Sequence, residues 1–294
     1  MKNLIIVTGG AGFVGANLIE YLLEKTSLKI LSIDNYSSGS KKNHIKNKNV
    51  KYIKADVNDI EKILKKQKKN INVIFHFGEF ARIHQSFINT EECFHTNISG
   101  TSKVFSFCLK NKIKIIYSAT SASLGNNGKD QNLSPYAFTK SKNLKLLIHL
   151  KKWFDLKFEV LYFYNVYGSK QIEEGPMATV IGIFEKQYRN NKRLSITRPG
   201  TQSRKFTHIE DTVKGCFYAW KKSLNRHYLL SNTKSYTILE VAKIFGRRVK
   251  FVRSRLGERK KSSLVHKIGE IKTHSIPCKL SLKQYIDNIK FKHK

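Results

Sequence analysis

The chain has 294 residues, of which 40% are apolar, and its 55 Lys and Arg against 21 Asp and Glu give a formal net charge of +34. The apolar content is enough for a sizeable core, yet no apolar run approaches the roughly 20 residues that a membrane-spanning helix needs, which argues against a membrane protein. The basic excess is spread along the chain without a recognised nucleic-acid-binding motif, so we expect solvated basic faces that attract small anionic substrates rather than a nucleic-acid partner.

The first predicted unit is a strand, a glycine turn and a helix. A β-branched apolar run at residues 4–7 leads into Gly9, Gly12 and Gly15, and an amphipathic segment follows over residues 16–25. This order presents helix N–H groups and the positive end of the helix dipole to a pyrophosphate. Bare backbone at Gly9 and Gly12 lets the phosphates approach, and Gly15 lets the helix pack on the strand. The sequence therefore predicts a bound dinucleotide.

The second predicted strand indicates which dinucleotide this is. It covers residues 29–33 and is followed by Asp34, nineteen residues past Gly15. An acid at this place accepts hydrogen bonds from the adenosine ribose and repels a 2′-phosphate. No Arg follows Asp34 immediately. We therefore expect NAD rather than NADP.

Strands and helices continue to alternate through the first two-thirds of the chain. Further strands are predicted at residues 50–54, 73–76, 113–117 and 158–163, with helices at residues 60–66, 94–108 and 135–154. Repeated βα units indicate an α/β fold with a doubly wound parallel Rossmann sheet, and the looser pattern beyond residue 165 indicates a smaller C-terminal α/β substrate lobe. We expect an NAD-binding domain over residues 1–166 and a substrate lobe over residues 167–294, with about 204–235 packing back on the first domain.

The best candidate for chemistry is a Tyr136-x-x-x-Lys140 pair, whose members lie one turn apart on a predicted helix. A nearby ammonium favours the phenolate form of a tyrosine, and a phenolate can remove a proton from a substrate hydroxyl. Only this pair follows a strand that ends in a hydroxyl-rich turn, residues 117–123, and in a parallel sheet such a strand end faces the cofactor crevice. The other pairs with this spacing are Tyr21/Lys25, Tyr188/Lys192 and Tyr218/Lys222.

These features together resemble the extended short-chain dehydrogenase/reductases, and closely their UDP-glucose 4-epimerase branch. The resemblance covers nearly the whole chain: residues 8–15 match the family's T-G-G-A-G-F-[IV]-G, and residues 164–168 resemble its F-N-x-Y-G. It implies Tyr136, Lys140 and Thr120 as catalytic residues, with Ser121 as the alternative hydroxyl. The cofactor-binding residues that it implies are Gly9, Gly12, Phe13, Val14, Gly15, Asp34, Asn35, Ser38, Gly39, Asp56, Val57, Phe77, Gly78, Asn97, Ser118, Tyr136, Lys140 and Tyr164.

The resemblance also implies the residues that hold a nucleotide-diphosphate sugar, with UDP as the expected nucleotide. Asn165 meets the substrate diphosphate, and Arg204 and Arg255 pair with its phosphates, for which the forked guanidinium is suited. Glu258 is the acid expected at the uridine ribose. Ser262 aligns with the position that controls the access of an N-acetyl sugar, while Thr120 and Ser121 contact the sugar itself.

Several residues depart from the family's sequence patterns, and these departures narrow the range of reactions that we expect. Ser121 and Ala122 stand where the sugar-nucleotide 4,6-dehydratases put Asp and Glu, and the Glu that the decarboxylases carry in this turn is also missing. With no acid to protonate a leaving hydroxyl, dehydration is disfavoured. Glu79 replaces a small residue near the cofactor phosphates, which is electrostatically unfavourable. The histidines and cysteines lack a metal-binding spacing, so we expect no metal site.

We therefore expect an isomerase, an NAD-dependent nucleotide-sugar 4-epimerase that interconverts UDP-glucose and UDP-galactose, or their N-acetyl counterparts, through a transient 4-keto sugar. The alternatives are a dehydratase or reductase of the same family and a non-catalytic NAD-binding protein whose basic lobe binds nucleic acid. The four cysteines are isolated, which indicates a reducing compartment, so we expect a cytoplasmic protein. The resemblance implies a homodimer and a role in carbohydrate metabolism and cell-surface polysaccharide biosynthesis.

Overall fold

The computed structural model describes residues 2–257, 259–261, 264–268 and 271–293. Extended segments recur along its whole length. The strands are β1 (Leu4–Thr8), β2 (Lys29–Asp34), β3 (Val50–Lys54), β4 (Ile71–His76), β5 (Lys114–Thr120), β6 (Phe158–Phe163), β7 (Val166–Tyr167), β8 (Leu194–Thr197), β9 (Ser203–Lys205), β10 (Thr207–His208), β11 (His227–Ser231), β12 (Ser235–Thr237), β13 (Val249–Val252), β14 (Lys267–Ile268) and β15 (Ile271–Pro277).

The largest sheet within the described residues has nine strands in the order β14-β15-β11-β6-β5-β4-β1-β2-β3. Its pairings are parallel except for that between the edge strand β14 and β15. The order β3-β2-β1-β4-β5-β6 is that of a doubly wound nucleotide-binding sheet, in which ligands bind beyond the carboxyl ends of β1 and β4. The predicted Rossmann sheet is thus confirmed.

Helices cover both faces of this sheet. They are α1 (Phe13–Lys25), α2 (Ile60–Leu64), α3 (Gln85–Ile88), α4 (Thr90–Phe94), α5 (Thr101–Lys110), α6 (Ser121–Leu124), α7 (Pro135–Phe154), α8 (Val180–Arg189), α9 (Ile209–Lys222), α10 (Ile238–Phe245) and α11 (Leu282–Lys292). A π-helical stretch, His95–Gly100, joins α4 to α5.

Strand side chains alternate between two buried apolar clusters. Ile6 and Ile74 pack on one face with α2, α5 and α7, and Ile5 and Val73 pack on the other with α1 and α9. This is the alternation that a strand buried on both faces requires. The two clusters fix the sheet rigidly beneath the strand ends that carry the candidate site.

A third apolar cluster forms the core of the second lobe, between α8, α10, α11 and the short strands β8 and β13. The chain nevertheless returns to the central sheet twice after residue 166. Strand β11 pairs with β6, and β15 pairs with β11. Helix α9 packs beside α1 in the cluster on the second sheet face. No helix of the described part of the chain combines the length and apolar character needed to cross a membrane.

Candidate active site

A cleft of about 960 Å³ lies along the carboxyl ends of the parallel strands and extends to the second lobe. Most of the predicted site residues line it. They are Gly9, Gly12, Phe13, Val14, Gly15, Asp34, Asn35, Ser38, Val57, Phe77, Gly78, Ser118, Thr120, Ser121, Tyr136, Lys140, Asn165, Arg204 and Arg255. The fold therefore gathers these residues, which are distant in sequence, around one crevice.

The glycine turn is shaped to receive a phosphate group. Gly9 has a φ of +69°, and a Cβ there would lie 2.8 Å from the backbone of Phe77 and Gly78. A Cβ on Gly15 would lie 2.1 Å from the carbonyl oxygen of Gly9, so a larger residue would push α1 off the turn. Gly12, at the N-terminus of α1, offers no side-chain cap. The first-turn amides are thus presented to an anion, as in a pyrophosphate site.

Asp34 joins the glycine turn to the predicted ribose loop. Its Oδ2 accepts from the backbone N–H of Ala11 over 2.9 Å, and its Oδ1 accepts from that of Tyr36 over 2.8 Å. A Cβ on Gly39 would lie 2.8 Å from Asp34 Oδ1, so the loop packs closely on the carboxylate. Each carboxylate oxygen keeps capacity for a further bond. Asp34 can therefore still accept from ribose hydroxyls, and the residues present fit NAD.

The predicted adenine side of the cleft is built on a short turn after β3. Asp56 Oδ1 accepts from the backbone and side-chain nitrogens of Asn58, both over 2.8 Å. Burial raises the pKa of Asp56, but the hydrogen bonds from Asn58 and Asn35, together with the nearby His95, hold that pKa below its ordinary value. Val57 lines the cleft whereas Asp56 does not. Asp56 thus fixes the turn that presents Val57.

Helix α7 begins at the site. The Ser134 hydroxyl accepts from the backbone N–H of Ala137 over 3.1 Å, and Pro135 occupies the first turn, where a missing N–H costs little. This start places Tyr136 and Lys140 one turn apart on the wall of the cleft.

The ammonium of Lys140 is fixed by contacts with Glu79, Ser118 and Tyr117. Its Nζ donates to Glu79 Oε2 and to the carbonyl oxygen of Ser118, and it lies 4.6 Å from the centroid of the Tyr117 ring. An ammonium carries three N–H donors. Lys140 therefore has one donor left for a ligand.

Glu79 and Lys140 form a buried ion pair, with side chains 2% and 5% exposed. Glu79 Oε1 also accepts from Thr101 Oγ1 over 2.9 Å, from Asn143 Nδ2 over 3.1 Å and from the Tyr117 hydroxyl over 3.2 Å. Burial and the charge of Glu79 hold the pKa of Tyr117 well above its ordinary value, so Tyr117 stays a donor. Every partner of Glu79 can donate, as an ionised carboxylate requires.

A hydrogen-bonded chain connects this ion pair to the glycine turn. His76 Nε2 lies 3.0 Å from Thr101 Oγ1, and His76 Nδ1 lies 2.7 Å from Thr8 Oγ1. Because Thr101 donates to Glu79, it accepts from His76 Nε2–H, and Nδ1 then accepts from the Thr8 hydroxyl. Thr8 Oγ1 in turn accepts from the backbone N–H groups of residues 77 and 78. Burial lowers the pKa of His76 to about 4, so the imidazole is neutral.

The two candidate hydroxyls lie at the end of β5 and have different partners. Thr120 Oγ1 accepts from the backbone N–H of Ala122 over 3.2 Å and can still donate. Ser121 Oγ accepts from Arg259 Nη1 over 3.1 Å, and Arg259 Nε donates to Asp130 Oδ2 over 2.8 Å. Ser121 is thus tied to a buried ion pair, and Thr120 is not.

The second-lobe end of the cleft is strongly basic. Asn165 Nδ2 donates to the carbonyl oxygen of Lys205 over 2.8 Å, which fixes Asn165 at the rim. Arg204 Nη1 donates to the carbonyl oxygen of Ser203 over 2.9 Å. The arginines that line the cleft are Arg82, Arg204, Arg253, Arg255 and Arg259. These guanidinium groups are suited to bind a diphosphate, because a guanidinium can donate two parallel hydrogen bonds to phosphate oxygens.

Several predicted residues lie outside the cleft lining. Asn97 Oδ1 accepts from the backbone N–H of Phe80 over 2.7 Å, so Asn97 supports the segment that carries Glu79. Tyr164 is fully buried behind the cleft, and burial raises its pKa to about 12. Gly39 and Asp56 are also not part of the lining. Glu258 and Ser262 are outside the described residues.

The sequence patterns did not single out Arg82 or Arg259. Arg82 lines the cleft, and its Nε donates to the carbonyl oxygen of Met177 over 2.8 Å. Arg259 lies four residues past Arg255, but nothing in the sequence indicates its pairing with Asp130, 129 residues earlier.

Comparisons with known proteins agree with this geometry. The sequence model of the NAD dependent epimerase/dehydratase family matches residues 5–231. An uncharacterised protein of Methanocaldococcus jannaschii is 32% identical over 260 residues, which are 81% of this chain and 78% of that protein. A dTDP-D-glucose 4,6-dehydratase of Dictyostelium discoideum is 28% identical over 268 residues, which are 81% of this chain and 60% of that protein.

Solved structures match over nearly the full length. The UDP-N-acetylglucosamine 4-epimerase of Methanobrevibacter ruminantium, solved with UDP-N-acetylmuramic acid, is 28% identical with a TM-score of 0.79 over 100% of this chain and 94% of that one. The UDP-glucose 4-epimerase of Thermotoga maritima, solved with UDP-glucose, is 24% identical with a TM-score of 0.85 over 98% of both chains. Since epimerases and a dehydratase are among the matches, the reaction has to be argued from the site.

Proposed function

Since this chain belongs to the NAD dependent epimerase/dehydratase family, we propose that it is an NAD-dependent nucleotide-sugar 4-epimerase, with UDP-glucose and UDP-galactose or their N-acetyl counterparts as substrates. One observation carries the proposal. Tyr136, Lys140 and Thr120 line the same cleft, whose acids among the described residues are Asp34 and Glu79, and both acids are already engaged.

The chain's part in the reaction is to move a proton at the sugar 4-hydroxyl. Tyr136, as phenolate, takes that proton as the sugar O–H bond breaks, with Thr120 in the hydrogen-bond relay, and gives it back when the 4-keto sugar is reduced on its other face. Lys140 has one N–H left for the nicotinamide ribose. NAD, when bound, supplies the reversible hydride acceptor.

The cofactor would be held at the opposite end of the cleft. The glycine turn and the α1 N-terminus take the pyrophosphate, Asp34 takes the adenosine ribose, and Val57 contacts the adenine. The close backbone contacts of Gly9 and Gly15 support this assignment.

The basic end of the cleft would hold the substrate diphosphate. Asn165, Arg204 and Arg255 line it, and guanidinium forks bind phosphate oxygens in pairs. A fixed diphosphate also lets the 4-keto sugar turn over about it without leaving, which an epimerase needs in order to present both faces. The UDP-sugars bound in the two related epimerase structures support this choice of substrate.

Dehydration needs an acid that protonates the leaving hydroxyl. In the described part of the cleft no acid is free for this task, because Glu79 has donors on both of its oxygens and Asp34 lies on the cofactor side. Ser121 and Ala122 follow Thr120 where the dehydratases carry Asp and Glu. Because the described part of the cleft offers no free acid to protonate a leaving hydroxyl, the site favours epimerisation over loss of water.

The experiment is to incubate the purified holoprotein with UDP-glucose or UDP-N-acetylglucosamine and to follow the sugar by proton NMR. We expect the C4 epimer, with no net NADH. Tyr136→Phe should abolish conversion, whereas Tyr218→Phe, which alters an exposed tyrosine with the same Lys spacing, should not. A 4-keto-6-deoxy product, or net NADH consumption, would replace the proposal with a dehydratase or a reductase.

We also propose a homodimer. Helices α3, α4 and α7 contact one another. Apolar side chains remain exposed on them and on the π-helical stretch, namely Phe87, Ile88, Phe94, Ile98 and Phe138. A second copy would cover this surface. Light scattering on the eluting protein should give twice the chain mass, and Ile88→Lys should lower it.

A further inference from the structure

Glu79 is the most unusual group in the site. It lies on the loop after β4, in the cleft lining, and its side chain is only 2% exposed. A buried ion pair gives little net stability, because desolvating two charges offsets their attraction. Its pairing with Lys140, which lies one helical turn from Tyr136 on α7, points instead to a task in the reaction.

Glu79 cannot itself accept the substrate proton. Its Oε1 accepts from Thr101, Asn143 and Tyr117, and its Oε2 accepts from Lys140. The carboxylate is thus saturated with donors. Glu79 can therefore influence the reaction through its charge and through Lys140, with which it is paired.

The charges around Tyr136 come from several elements. Lys140 lies on α7, Glu79 and Arg82 lie on the loop after β4, and Tyr117 lies on β5. Tyr117 stays neutral, because its pKa is held well above the ordinary value by burial and by Glu79. The same holds for the Cys93 thiol on α4, which packs in the cluster of Tyr136 and whose pKa burial raises to about 11.

His84 and Arg82, on the loop after β4, line the same cleft. Burial lowers the pKa of Arg82, while its interaction with Tyr136 acts in the opposite direction. Among the described residues, the charged side chains near Tyr136 therefore include two cations, Lys140 and Arg82, and one anion, Glu79.

We propose that Glu79 is a positioning residue that neutralises the Lys140 ammonium and pins it against the Ser118 carbonyl, so that one Lys140 N–H faces the cofactor ribose and Tyr136 exchanges its proton beside a neutral pair. The inference rests on the proposed proton transfer at Tyr136. Removing the charge of Glu79 leaves an unbalanced ammonium one helical turn from Tyr136, which favours the phenolate.

The test is the pH dependence of turnover in Glu79→Gln. We expect the acidic limb of the kcat profile to move down by about one pH unit, because the phenolate becomes easier to form. Glu79→Asp keeps the charge and should leave the limb near its original position. Glu159→Gln is the matched control, because Glu159 is a fully buried partner of Lys114 away from the cleft.

A second readout needs no turnover. The tyrosinate absorbance of each protein is titrated, and the difference from its Tyr136→Phe counterpart isolates Tyr136. In Glu79→Gln this band should appear about one pH unit lower than in the wild type. If Glu79→Gln does not fold, Glu79→Ala, in which water can fill the space, should give the same shift.

The inference would be overturned if the acidic limb of the kcat profile and the tyrosinate band both stay in place in a folded Glu79→Gln or Glu79→Ala protein. An equal shift of the limb and the band in Glu159→Gln would also overturn it. The absorbance titration separates this inference from the proposed function, because a shift without epimerisation supports Glu79 and refutes only the 4-epimerase. Epimerisation without a shift supports the 4-epimerase and refutes only the role of Glu79.

Discussion

The Arg259 guanidinium donates to the Ser121 hydroxyl over 3.1 Å and is itself paired with Asp130. This contact separates two adjacent hydroxyls that the sequence alone leaves as alternatives. The Ser121 hydroxyl accepts from a buried cation, which restricts its orientation, whereas Thr120 accepts from a backbone N–H in its own turn. We therefore propose Thr120 as the relay hydroxyl.

Thr120→Val should lower kcat by about 100-fold, since a relay hydroxyl is lost without a change of shape. Ser121→Ala should keep kcat within a few-fold but should cost about 1–3 kcal/mol of stability, because Arg259 loses a buried partner. Steady-state kinetics and thermal unfolding of both variants check this. Interchanged effects would assign the relay to Ser121.

Gly15→Ala should prevent the glycine turn from forming. The new Cβ would lie 2.1 Å from the Gly9 carbonyl oxygen, so α1 would have to move away from the pyrophosphate site. We expect loss of bound NAD, measured by cofactor content after purification. Gly175→Ala is the control, since no atom lies within 4 Å of its Cβ and its φ of +76° costs only about 1–2 kcal/mol. Retained NAD in Gly15→Ala would contradict the assignment of this turn.

Arg255→Ala should weaken UDP binding about 10- to 100-fold, which is the usual worth of a charge-assisted hydrogen bond, and should leave NAD binding unchanged. Calorimetric titration with each ligand measures this. Arg248→Ala removes an exposed charge from the same lobe outside the cleft lining and should have little effect. Equal losses in the two variants would mean that the general charge of the lobe, not a site, attracts the nucleotide.

Acid should destabilise the protein through His76. Its pKa is about 4 in the folded chain, against an ordinary value of 6.5. Between these values the unfolded chain binds the proton and the folded chain does not, so stability falls as pH drops from 6.5 to 4, by about 3 kcal/mol in total. His227, with a pKa also lowered to about 4 by burial, adds to the slope.

Denaturant unfolding at a series of pH values measures that slope. His76→Asn should be less stable than the wild type at neutral pH but should lose less stability on acidification. His149→Asn, at an exposed position, controls for removing a histidine. A slope unchanged in His76→Asn would mean that His76 is not the group that resists protonation.

Local pattern predicted the order of the strands and long helices in the first two-thirds of the fold, although the single helix predicted over residues 94–108 is divided between a π-helical stretch, His95–Gly100, and α5. The predicted helix over residues 135–154 and strand over residues 158–163 agree with α7 and β6 at both ends, because burial period and capping residues are local signals. The sequence led us to expect that about 204–235, a range that includes β11, packs back on the first domain, but the pairing of β15 with β11 was not predicted, since strand pairing depends on partners far away in sequence.

The site residues were predictable from the sequence where they belong to a motif. They were not predictable where their role depends on a partner that is distant in sequence. Glu79 looked unfavourable in the sequence because its partner Lys140 is 61 residues away. Likewise, the choice between Thr120 and Ser121 depends on Arg259, 138 residues beyond Ser121. Both cases are pairings between charged or polar side chains, and such pairings do not produce a periodic pattern in the sequence from which they could be predicted.

The most direct test of the 4-epimerase follows a label on the sugar. The holoprotein is given UDP-glucose deuterated at C4, and the product is examined by NMR and mass spectrometry. The account predicts UDP-galactose with the deuterium retained at C4 and no deuterium in the solvent. Loss of the label to water, or a product lighter by one water, would contradict it.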